Sequence, residues 1–322
     1  MKTAIITSNP AQIDYVYGKD EINRLAAHSE MLPGTYSKAD ALAGKLADVE
    51  ALFSTWGMPV FTEQELESMP KLKAVFYAAG ATDAFVRPFL AKGIGVMSAW
   101  RSNAVPVAEF CQAQILLAMK GYFRNTREAR ERRGWAPAGR GIYGEKVTLI
   151  GDGAVAHCLR ERLATSNINV VMIPSKPWER TVSIEEAFKT SLVVSNHLPD
   201  RDDNAGCIGR AHFESMREGA TFINTGRGRQ IDEAALADVL AKRPDLTALL
   251  DVTYPEPPAK DSPLWTLPNV IISSHIAGSL GDEVRRMAAS AVDDFIAWSA
   301  AGEKSLNFVD ESMLITSQTL RP

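Results

Sequence analysis

Val147-Thr148-Leu149-Ile150-Gly151-Asp152-Gly153-Ala154-Val155-Ala156 is the stretch that decides the fold of this chain. A short run of apolar and β-branched residues leads directly into two glycines, and an amphipathic segment follows them. The first glycine permits a tight turn, and the second lets backbone N–H groups approach a pyrophosphate. The third position needs only a small residue, which Ala156 supplies. This strand–turn–helix context predicts dinucleotide binding, with a plain structural turn as the alternative. The predicted contacts are Gly151, Gly153, Ala154 and Val155.

Five more short apolar runs follow this turn, each bounded by turn residues or by a helical pattern. They are Val170–Ile173, Leu192–Ser195, Thr221–Asn224, Ala248–Asp251 and Val270–Ser273. With the run Val147–Ile150 before the turn, this makes six strands, and six strands with a glycine-rich turn after the first are typical of a doubly wound nucleotide-binding domain.

The N-terminal third shows a similar alternation. Its predicted strands are Thr3–Thr7, Ala51–Ser54, Ala74–Tyr77 and Gly95–Ser98, and its helix-like segments include Glu63–Met69 and Phe85–Lys92. Alternation of this kind indicates parallel sheets covered by helices. We therefore predict an α/β protein of two doubly wound parallel-sheet lobes, a Rossmann-type dinucleotide-binding domain and a smaller, flavodoxin-like substrate domain.

Two long helices are predicted to cross between the lobes, at about Val105–Gly121 and Gly281–Ala300. They place the substrate domain at residues 1–103 plus 285–322 and the dinucleotide-binding domain at residues 104–284. A length of 322 residues suits two domains of ordinary size.

The composition indicates a globular protein with little electrostatic attraction to polyanions. Hydrophobic residues make up 46% and charged residues 23%, and the formal net charge is −4. Neither a nucleic-acid partner nor an anionic membrane is expected, and no apolar run approaches the ~20 residues of a membrane span. Three cysteines at unrelated spacings predict neither disulfides nor a zinc site. The apolar stretch at the N-terminus is too short and is followed too soon by polar residues to be a signal peptide, so the expected location is cytoplasmic.

The predicted second strand of the dinucleotide-binding domain ends in Ile173-Pro174-Ser175-Lys176. An adenosine-ribose carboxylate is expected there, about 20 residues after the glycine-rich turn, and none is present. Ser175 and Lys176 are suited to a 2′-phosphate instead, so NADP(H) is slightly favoured over NAD(H). Asp152 is unfavourable for any phosphate, because it places a carboxylate in the turn.

Three chemically apt side chains follow three predicted strands. Arg227 comes just after Asn224, Glu256 follows Asp251, and His275 follows Ser273. Carboxyl ends of parallel strands share one edge of a sheet, where ligands bind in this fold. Each residue alone has an ordinary structural alternative: a salt bridge, a turn carboxylate or a buried histidine.

With these residues in order, the sequence resembles the D-isomer-specific 2-hydroxyacid dehydrogenase family from about Ala74 to Asn307. The resemblance is carried by motifs that are strongest within Phe213–Gly278. The motifs are Asn224-Thr225-Gly226-Arg227-Gly228, Asp251 with Glu256-Pro257, and His275-Ile276-Ala277-Gly278, with weaker support from Ala79-Gly80, Val107-Ala108-Glu109 and His197-Leu198-Pro199.

The resemblance implies a role for each of these positions. Arg227 would bind the substrate carboxylate and polarise the keto oxygen, His275 would be the general acid in reduction, and Glu256 would orient the imidazole. Backbone N–H groups of Ala79 and Gly80 would hold the carboxylate.

The resemblance also implies further cofactor contacts and a partner. The additional cofactor residues would be Leu198, Pro199, Thr225 and Asp251. For Asp251, a contact with the nicotinamide side competes with simple turn hydrogen bonding. The implied assembly is a homodimer with its contact in Val105–Gly144, where Trp135 and Tyr122 are either interface anchors or intrachain core.

Two stretches depart from the family pattern. The loop Ala78-Ala79-Gly80-Ala81 lacks a second glycine, and Ser98-Ala99-Trp100-Arg101-Ser102-Asn103 replaces the commoner Asn-x-Pro-Gly. Arg101 is either a ligand for a second anionic group of a dicarboxylate or phosphorylated substrate, or a hinge residue facing water. These departures affect the predicted substrate more than the predicted reaction.

The leading hypothesis is an NAD(P)-dependent reductase of a 2-keto acid, either similar to glyoxylate and hydroxypyruvate or larger. Glu256 argues against a formate dehydrogenase, which carries glutamine there, and no appended regulatory domain is expected. A dinucleotide-sensing binding module with little or no turnover is the alternative from another class. An amino acid dehydrogenase is disfavoured because the expected lysine beside the cleft is missing.

Overall fold

The computed structural model describes residues 1–301 and 305–314. The described residues form two compact units: Met1–Ala104 together with those from Ser279 to Leu314, and Val105–Gly278. The second boundary therefore precedes the predicted one by six residues (284 − 278). The stretch after Gly278 bonds to the first unit, where the Ser279 N–H donates to Asn103 Oδ1 at 3.1 Å and the Gly281 N–H to the Tyr15 hydroxyl at 2.8 Å. That the first unit is the substrate domain remains a prediction.

The first unit, as far as it is described, contains a parallel sheet of five strands. The strands are β1 (Lys2–Ile6), β2 (Glu30–Tyr36), β3 (Ala51–Ser54), β4 (Ala74–Tyr77) and β5 (Gly95–Ser98). Their order is β2-β1-β3-β4-β5, which is the strand order of the flavodoxin-like fold predicted for this unit.

The second unit contains a parallel sheet of six strands within the same described residues. The strands are β6 (Lys146–Ile150), β7 (Asn169–Ile173), β8 (Val193–Asn196), β9 (Thr221–Asn224), β10 (Thr247–Leu250) and β11 (Val270–Ile272). Their order is β11-β10-β9-β8-β6-β7. The chain switches sides of β6 between β7 and β8, and ligands of doubly wound sheets bind at such a switch point.

Helices cover both sheets, as the alternating pattern predicted. The described helices are α1 (Pro10–Val16), α2 (Lys19–His28), α3 (Lys38–Leu42), α4 (Val86–Ala91), α5 (Trp100–Met119), α6 (Tyr122–Arg132), α7 (Ala154–Leu163), α8 (Ile184–Thr190), α9 (Arg210–Glu214), α10 (Glu233–Lys242) and α11 (Val284–Ala301). Each sheet is buried on both faces; in the first unit α11 packs Phe295 edge-on against Phe53 and Phe76. In the part of the chain that is described, no helix combines the length and apolarity that a bilayer crossing requires.

Some element boundaries differ from the prediction. The first long helix begins at Trp100, five residues before the predicted start, and carries Pro106 inside it. Proline is common in the first helical turn, but here more than one turn of helix precedes Pro106. The second long helix begins at Val284 after a single 3-10 turn over Gly281–Glu283. The segment Glu63–Met69 contains only a 3-10 turn, Glu65–Ser68.

Candidate functional site

Glu256 and His275 form a directly bonded pair in the second unit. The Nδ1 atom of His275 lies 2.7 Å from Glu256 Oε1, and both side chains are partly open to solvent, at 49% and 43% exposure. A carboxylate at this distance fixes the orientation of the ring. The pair has the geometry of an oriented histidine acid–base.

Asp251 holds the loop that carries His275. Its buried carboxylate accepts hydrogen bonds from Ser273 Oγ at 2.6 Å, the Ile276 N–H at 2.9 Å and the Ala277 N–H at 3.0 Å. Its backbone carbonyl accepts the His275 N–H at 3.0 Å. Of the two roles considered for Asp251, hydrogen bonding within the turn is present in the structure. The contact with the nicotinamide side remains a prediction.

His275 has a left-handed backbone conformation, with a φ of 55°. A non-glycine residue in this region costs about 1 kcal/mol. The hydrogen bonds to Asp251 offset this cost and keep the imidazole beside Glu256. Strain of this kind is concentrated at functional positions in proteins.

The loop that bears Glu256 is held by a second acidic residue. Glu233, at the first turn of α10, accepts the Tyr254 N–H at 2.6 Å. Burial raises the pKa of Glu233 to about 7. Thr253 is buried and donates its hydroxyl to the Pro255 carbonyl at 3.0 Å. The peptide bonds before Pro255 and Pro257 are both cis.

Arg227 lies in the loop after β9, three residues past its last residue Asn224, and is half-buried. Its Nη1 donates to the Gly226 carbonyl at 2.8 Å, and its Nε lies 3.5 Å from Asp200 Oδ2. Asp200 also accepts from Arg229 Nε at 2.6 Å. Asp200 was not among the residues predicted from the sequence, although an acid one residue after Pro199, in a predicted ligand loop, was a usable signal.

The Arg227 loop packs closely on the segment between β10 and Glu256. A Cβ placed on Gly228 would lie 2.0 Å from the Thr253 carbonyl carbon, so only glycine fits there. Gln230, fully buried, accepts the Arg227 N–H at 3.0 Å and donates to the Leu198 and Pro199 carbonyls at 3.0 and 2.8 Å. These contacts tie the loop after β9 to the loop after β8 and to Thr253.

The glycine-rich turn has the shape that a pyrophosphate needs. Gly151 has a φ of 116°, and a Cβ there would lie 2.6 Å from the His197 carbonyl oxygen, so a side chain is excluded. Gly153 is the N-cap of α7, and apart from its own chain neighbours no described residue comes within 4 Å of where its Cβ would be. Ala154 and Val155 start α7 half-buried, and Ala156 is fully buried against the sheet. An open helix N-terminus beside two glycines fits a dinucleotide phosphate.

The segment after β7, where the adenosine end of the cofactor was predicted, has acidic and basic side chains close together. Ser175 is buried, and its N–H donates to Asp152 Oδ1 at 3.3 Å. Lys176 Nζ lies 3.3 Å from Glu179 Oε1. Arg180, which the sequence analysis did not single out, donates from Nε to the Pro174 carbonyl and from Nη2 to the Ser175 carbonyl, both at 2.9 Å.

His197 links the loops after β8 and β9. Its Nε2 lies 2.9 Å from Ser195 Oγ and its Nδ1 lies 3.1 Å from Thr225 Oγ1. Burial lowers the pKa of His197 to about 4, so the ring is neutral near pH 7. Next to it, Leu198 is buried and Pro199 is exposed. This histidine positions Thr225, two residues before Arg227.

The predicted substrate contacts of the first unit lie at the ends of β4 and β5. Ser98 Oγ lies 2.8 and 2.7 Å from the carbonyls of Ala79 and Gly80, and a Cβ on Gly80 would meet Asn103 Nδ2 at 3.2 Å. Arg101 is exposed, lies over the Trp100 ring at 4.6 Å and donates to the Leu306 carbonyl at 3.2 Å. These bonds hold Arg101 on its own unit.

Comparison with known proteins gives one family and a consistent set of relatives. Residues 112–277 match the model for "D-isomer specific 2-hydroxyacid dehydrogenase, NAD binding domain". A glyoxylate reductase from Korarchaeum cryptofilum is 27% identical over 84% of this chain and 85% of its own length. A D-3-phosphoglycerate dehydrogenase from Methanocaldococcus jannaschii is 29% identical over 91% of this chain and 57% of its own, so this chain spans little more than half of that relative.

The fold matches solved structures along almost its whole length. A crystal structure of a glyoxylate reductase from Paecilomyes thermophila superposes with a TM-score of 0.75 at 19% identity, covering 97% of this chain and 99% of that one. At this identity the likeness concerns the fold, and it confirms two parallel-sheet α/β domains.

Proposed function

The chain belongs to the D-isomer specific 2-hydroxyacid dehydrogenase family, and we propose that it catalyses hydride transfer between a nicotinamide cofactor and a 2-keto acid/2-hydroxy acid pair. The observation that carries this proposal is the 2.7 Å contact between His275 Nδ1 and Glu256 Oε1 at the carboxyl edge of the second sheet. Reduction of a keto group needs one hydride at carbon and one proton at oxygen. The histidine–carboxylate pair is suited to deliver that proton.

His275 is the proposed general acid in reduction and general base in oxidation. Because Glu256 engages Nδ1, the ring presents Nε2 to the substrate, and Nε2–H would donate its proton to the keto oxygen as the alcohol forms. Glu256 stabilises the charged ring before transfer and keeps the same nitrogen aimed at the substrate after it.

Arg227 is the proposed carboxylate ligand. One of its N–H groups already bonds the Gly226 carbonyl and its Nε faces Asp200, so the guanidinium is held in place by its own loop and by the neighbouring one. A planar guanidinium can bond a carboxylate with two parallel N–H groups while it polarises the adjacent keto oxygen. Backbone N–H groups of Ala79 and Gly80 are proposed to bind the substrate carboxylate as well.

The nicotinamide cofactor would supply the hydride, and its pyrophosphate would rest on Gly151, Gly153 and the first turn of α7. Leu198, Pro199, Thr225 and Asp251 are proposed to line the same site. For the adenosine end we retain the slight preference for NADP(H), supported by Ser175, Lys176 and the nearby guanidinium of Arg180. Asp152 opposes this preference, since its carboxylate lies 3.3 Å from the Ser175 nitrogen.

The proposed assembly is a homodimer that uses the segment around α6. This helix has no buried residue, Trp135 is 100% exposed and Tyr143 is 86% exposed. Interface anchor and intrachain core were the two alternatives for Trp135 and Tyr122. The full exposure of Trp135 excludes the intrachain core for that residue, and Tyr122 is 49% exposed. Exposed aromatic side chains are typical of a contact surface. Light scattering should show a dimer that Trp135→Glu dissociates; a dimer that persists unchanged would exclude this contact.

The three free cysteines support a cytoplasmic location.

The activity is tested by measuring NADH and NADPH oxidation with a panel of 2-keto acids, together with equilibrium binding of both dinucleotides. We expect turnover that His275→Asn lowers by roughly 10²- to 10⁴-fold, with a flattened pH dependence, while dinucleotide binding persists. Glu256→Gln should also lower kcat, as His275→Asn does. Tight dinucleotide binding without turnover of any keto acid would favour the sensing module instead.

A further inference from the structure

A cavity of about 730 Å³ opens beside the Glu256–His275 pair, and all of its walls belong to the second unit. Besides this pair, its lining includes the apolar residues Pro257, Pro258, Trp265, Ile272 and Ile276. A volume of this size is within the ~300–1,000 Å³ typical of small-molecule sites. One side of the cavity is thus formed by the proposed acid–base pair, and another side is apolar.

The apolar wall is ordered by hydrogen bonds yet open to solvent. The Trp265 indole N–H donates to the Ala259 carbonyl at 3.0 Å, which satisfies its only polar atom, and the side chain remains 49% exposed. Ile276 is 40% exposed, although its backbone N–H is bonded to Asp251. Large apolar side chains held open together in a concave site indicate a ligand with apolar surface of its own.

The position of His275 decides which part of a substrate faces this wall. In a 2-keto acid whose keto oxygen meets the imidazole, the third carbon is bonded directly to the carbon that bears this oxygen. The side chain must therefore begin within a few ångströms of the cavity. Glyoxylate has only a hydrogen at this position and hydroxypyruvate only a hydroxymethyl group, so neither would cover Trp265 or Ile276.

We propose that this cavity is the side-chain subsite and that the preferred substrate is a 2-keto acid with an aromatic or branched aliphatic side chain of four or more carbons. This inference rests on the proposed function. Burial of each methylene against the wall corresponds to about a fourfold gain in kcat/KM. The gain should continue from pyruvate to 2-oxohexanoate, and 4-methyl-2-oxopentanoate and phenylpyruvate should be among the best substrates.

The test measures kcat/KM for glyoxylate, pyruvate, 2-oxobutanoate, 2-oxopentanoate, 2-oxohexanoate, 4-methyl-2-oxopentanoate and phenylpyruvate. In Trp265→Ala and Ile272→Ala the gain per methylene should fall, while glyoxylate turnover stays within about twofold of the wild type. Ile271→Ala is the matched control, since successive side chains of β11 point to opposite faces and Ile271 does not line the cavity. Trp265→Phe should retain most of the gain.

Calorimetric binding of glycolate, 2-hydroxyhexanoate and 4-methyl-2-hydroxypentanoate gives a second measurement that needs no turnover. Tighter binding with longer chains, lost in Trp265→Ala, supports the subsite even if the catalytic proposal fails. Turnover that is best with glyoxylate and flat or falling with chain length would overturn the inference and leave the proposed function standing. An equal loss for every substrate, with dissociation of Trp265→Ala into monomers, would also overturn it, because the wall would then be covered by a second copy.

Discussion

The carboxylate of Asp251 accepts the backbone N–H of Ala277 at 3.0 Å, twenty-six residues further along the chain. This contact, with those to Ser273 and Ile276, closes the loop in which His275 has its left-handed conformation. The position of the proposed acid–base thus depends on a buried acid that need not touch the substrate.

Asp251→Asn should therefore impair catalysis through the geometry of His275. An amide keeps one oxygen but turns an NH₂ group toward backbone donors, which removes at least one charge-assisted hydrogen bond of about 1.5–3 kcal/mol. We expect kcat to fall about 10- to 100-fold, with a lower Tm. Asp245→Asn is the control, because it breaks the ion pair with Arg243 elsewhere in the same unit. This substitution should lower Tm but leave kcat unchanged. Unchanged kcat in a folded Asp251→Asn variant would show that the loop is held by other contacts.

Arg227→Lys should separate charge from geometry. Lysine keeps the positive charge but loses the planar pair of N–H groups, so kcat/KM for the keto acid should fall on the order of 100-fold. Near-normal kcat/KM would refute a bidentate contact with the substrate carboxylate.

Asp200→Asn tests whether the carboxylate beside Arg227 orients it. We expect KM to change several-fold with little change in kcat, because the bond from Nη1 to Gly226 remains. Asp202→Asn is the matched control, since Asp202 pairs with Arg229 but has no bond to Arg227. Equal effects of the two substitutions would indicate only a change in the net charge of the loop.

Asp152→Asn should shift cofactor choice toward NADPH. The Asp152 carboxylate is bonded to the Ser175 nitrogen, where a 2′-phosphate would approach, and its removal relieves repulsion of roughly 1 kcal/mol. The ratio of Kd for NADPH to Kd for NADH should fall roughly three- to tenfold, measured by fluorescence titration. Glu161→Gln, on an exposed position of the same helix α7, should leave the ratio unchanged. A ratio insensitive to Asp152 would place the adenosine end elsewhere.

His197 should make the fold less stable in acid. Its pKa is about 4 in the folded protein and 6.5 for an ordinary histidine, so below pH 6.5 the unfolded chain binds the extra proton first. The stability present above pH 6.5 is then lost progressively as the pH falls toward 4, by about 2 kcal/mol after allowance for partial exposure. Urea unfolding of wild type and His197→Gln at pH 7.5 and 5 should show a smaller pH dependence in the variant. The same dependence in both proteins would assign the acid sensitivity to other groups.

Much of the fold was predictable because parallel strands are buried on both faces and leave short continuous apolar runs in the sequence. Four of these runs are strands with the predicted bounds: Ala51–Ser54, Ala74–Tyr77, Gly95–Ser98 and Thr221–Asn224. Strand β2 was missed, since Glu30–Tyr36 contains Pro33-Gly34 and no apolar run. It forms as an edge strand, paired only with β1 among the described strands, and an edge tolerates proline because one side of its ladder is free.

The sequence by itself determined the α/β class, the glycine-rich turn and the three residue types that follow the carboxyl ends of β9, β10 and β11, since these are properties of neighbouring residues. Only the tertiary structure decided that Asp251 closes the His275 loop, that Asp200 faces Arg227 and that Asp152 reaches Ser175. These pairs are separated by 23 to 27 residues along the chain. Local periodicity records which face of a strand or helix is buried, but it carries no information on which distant loop a polar side chain will meet.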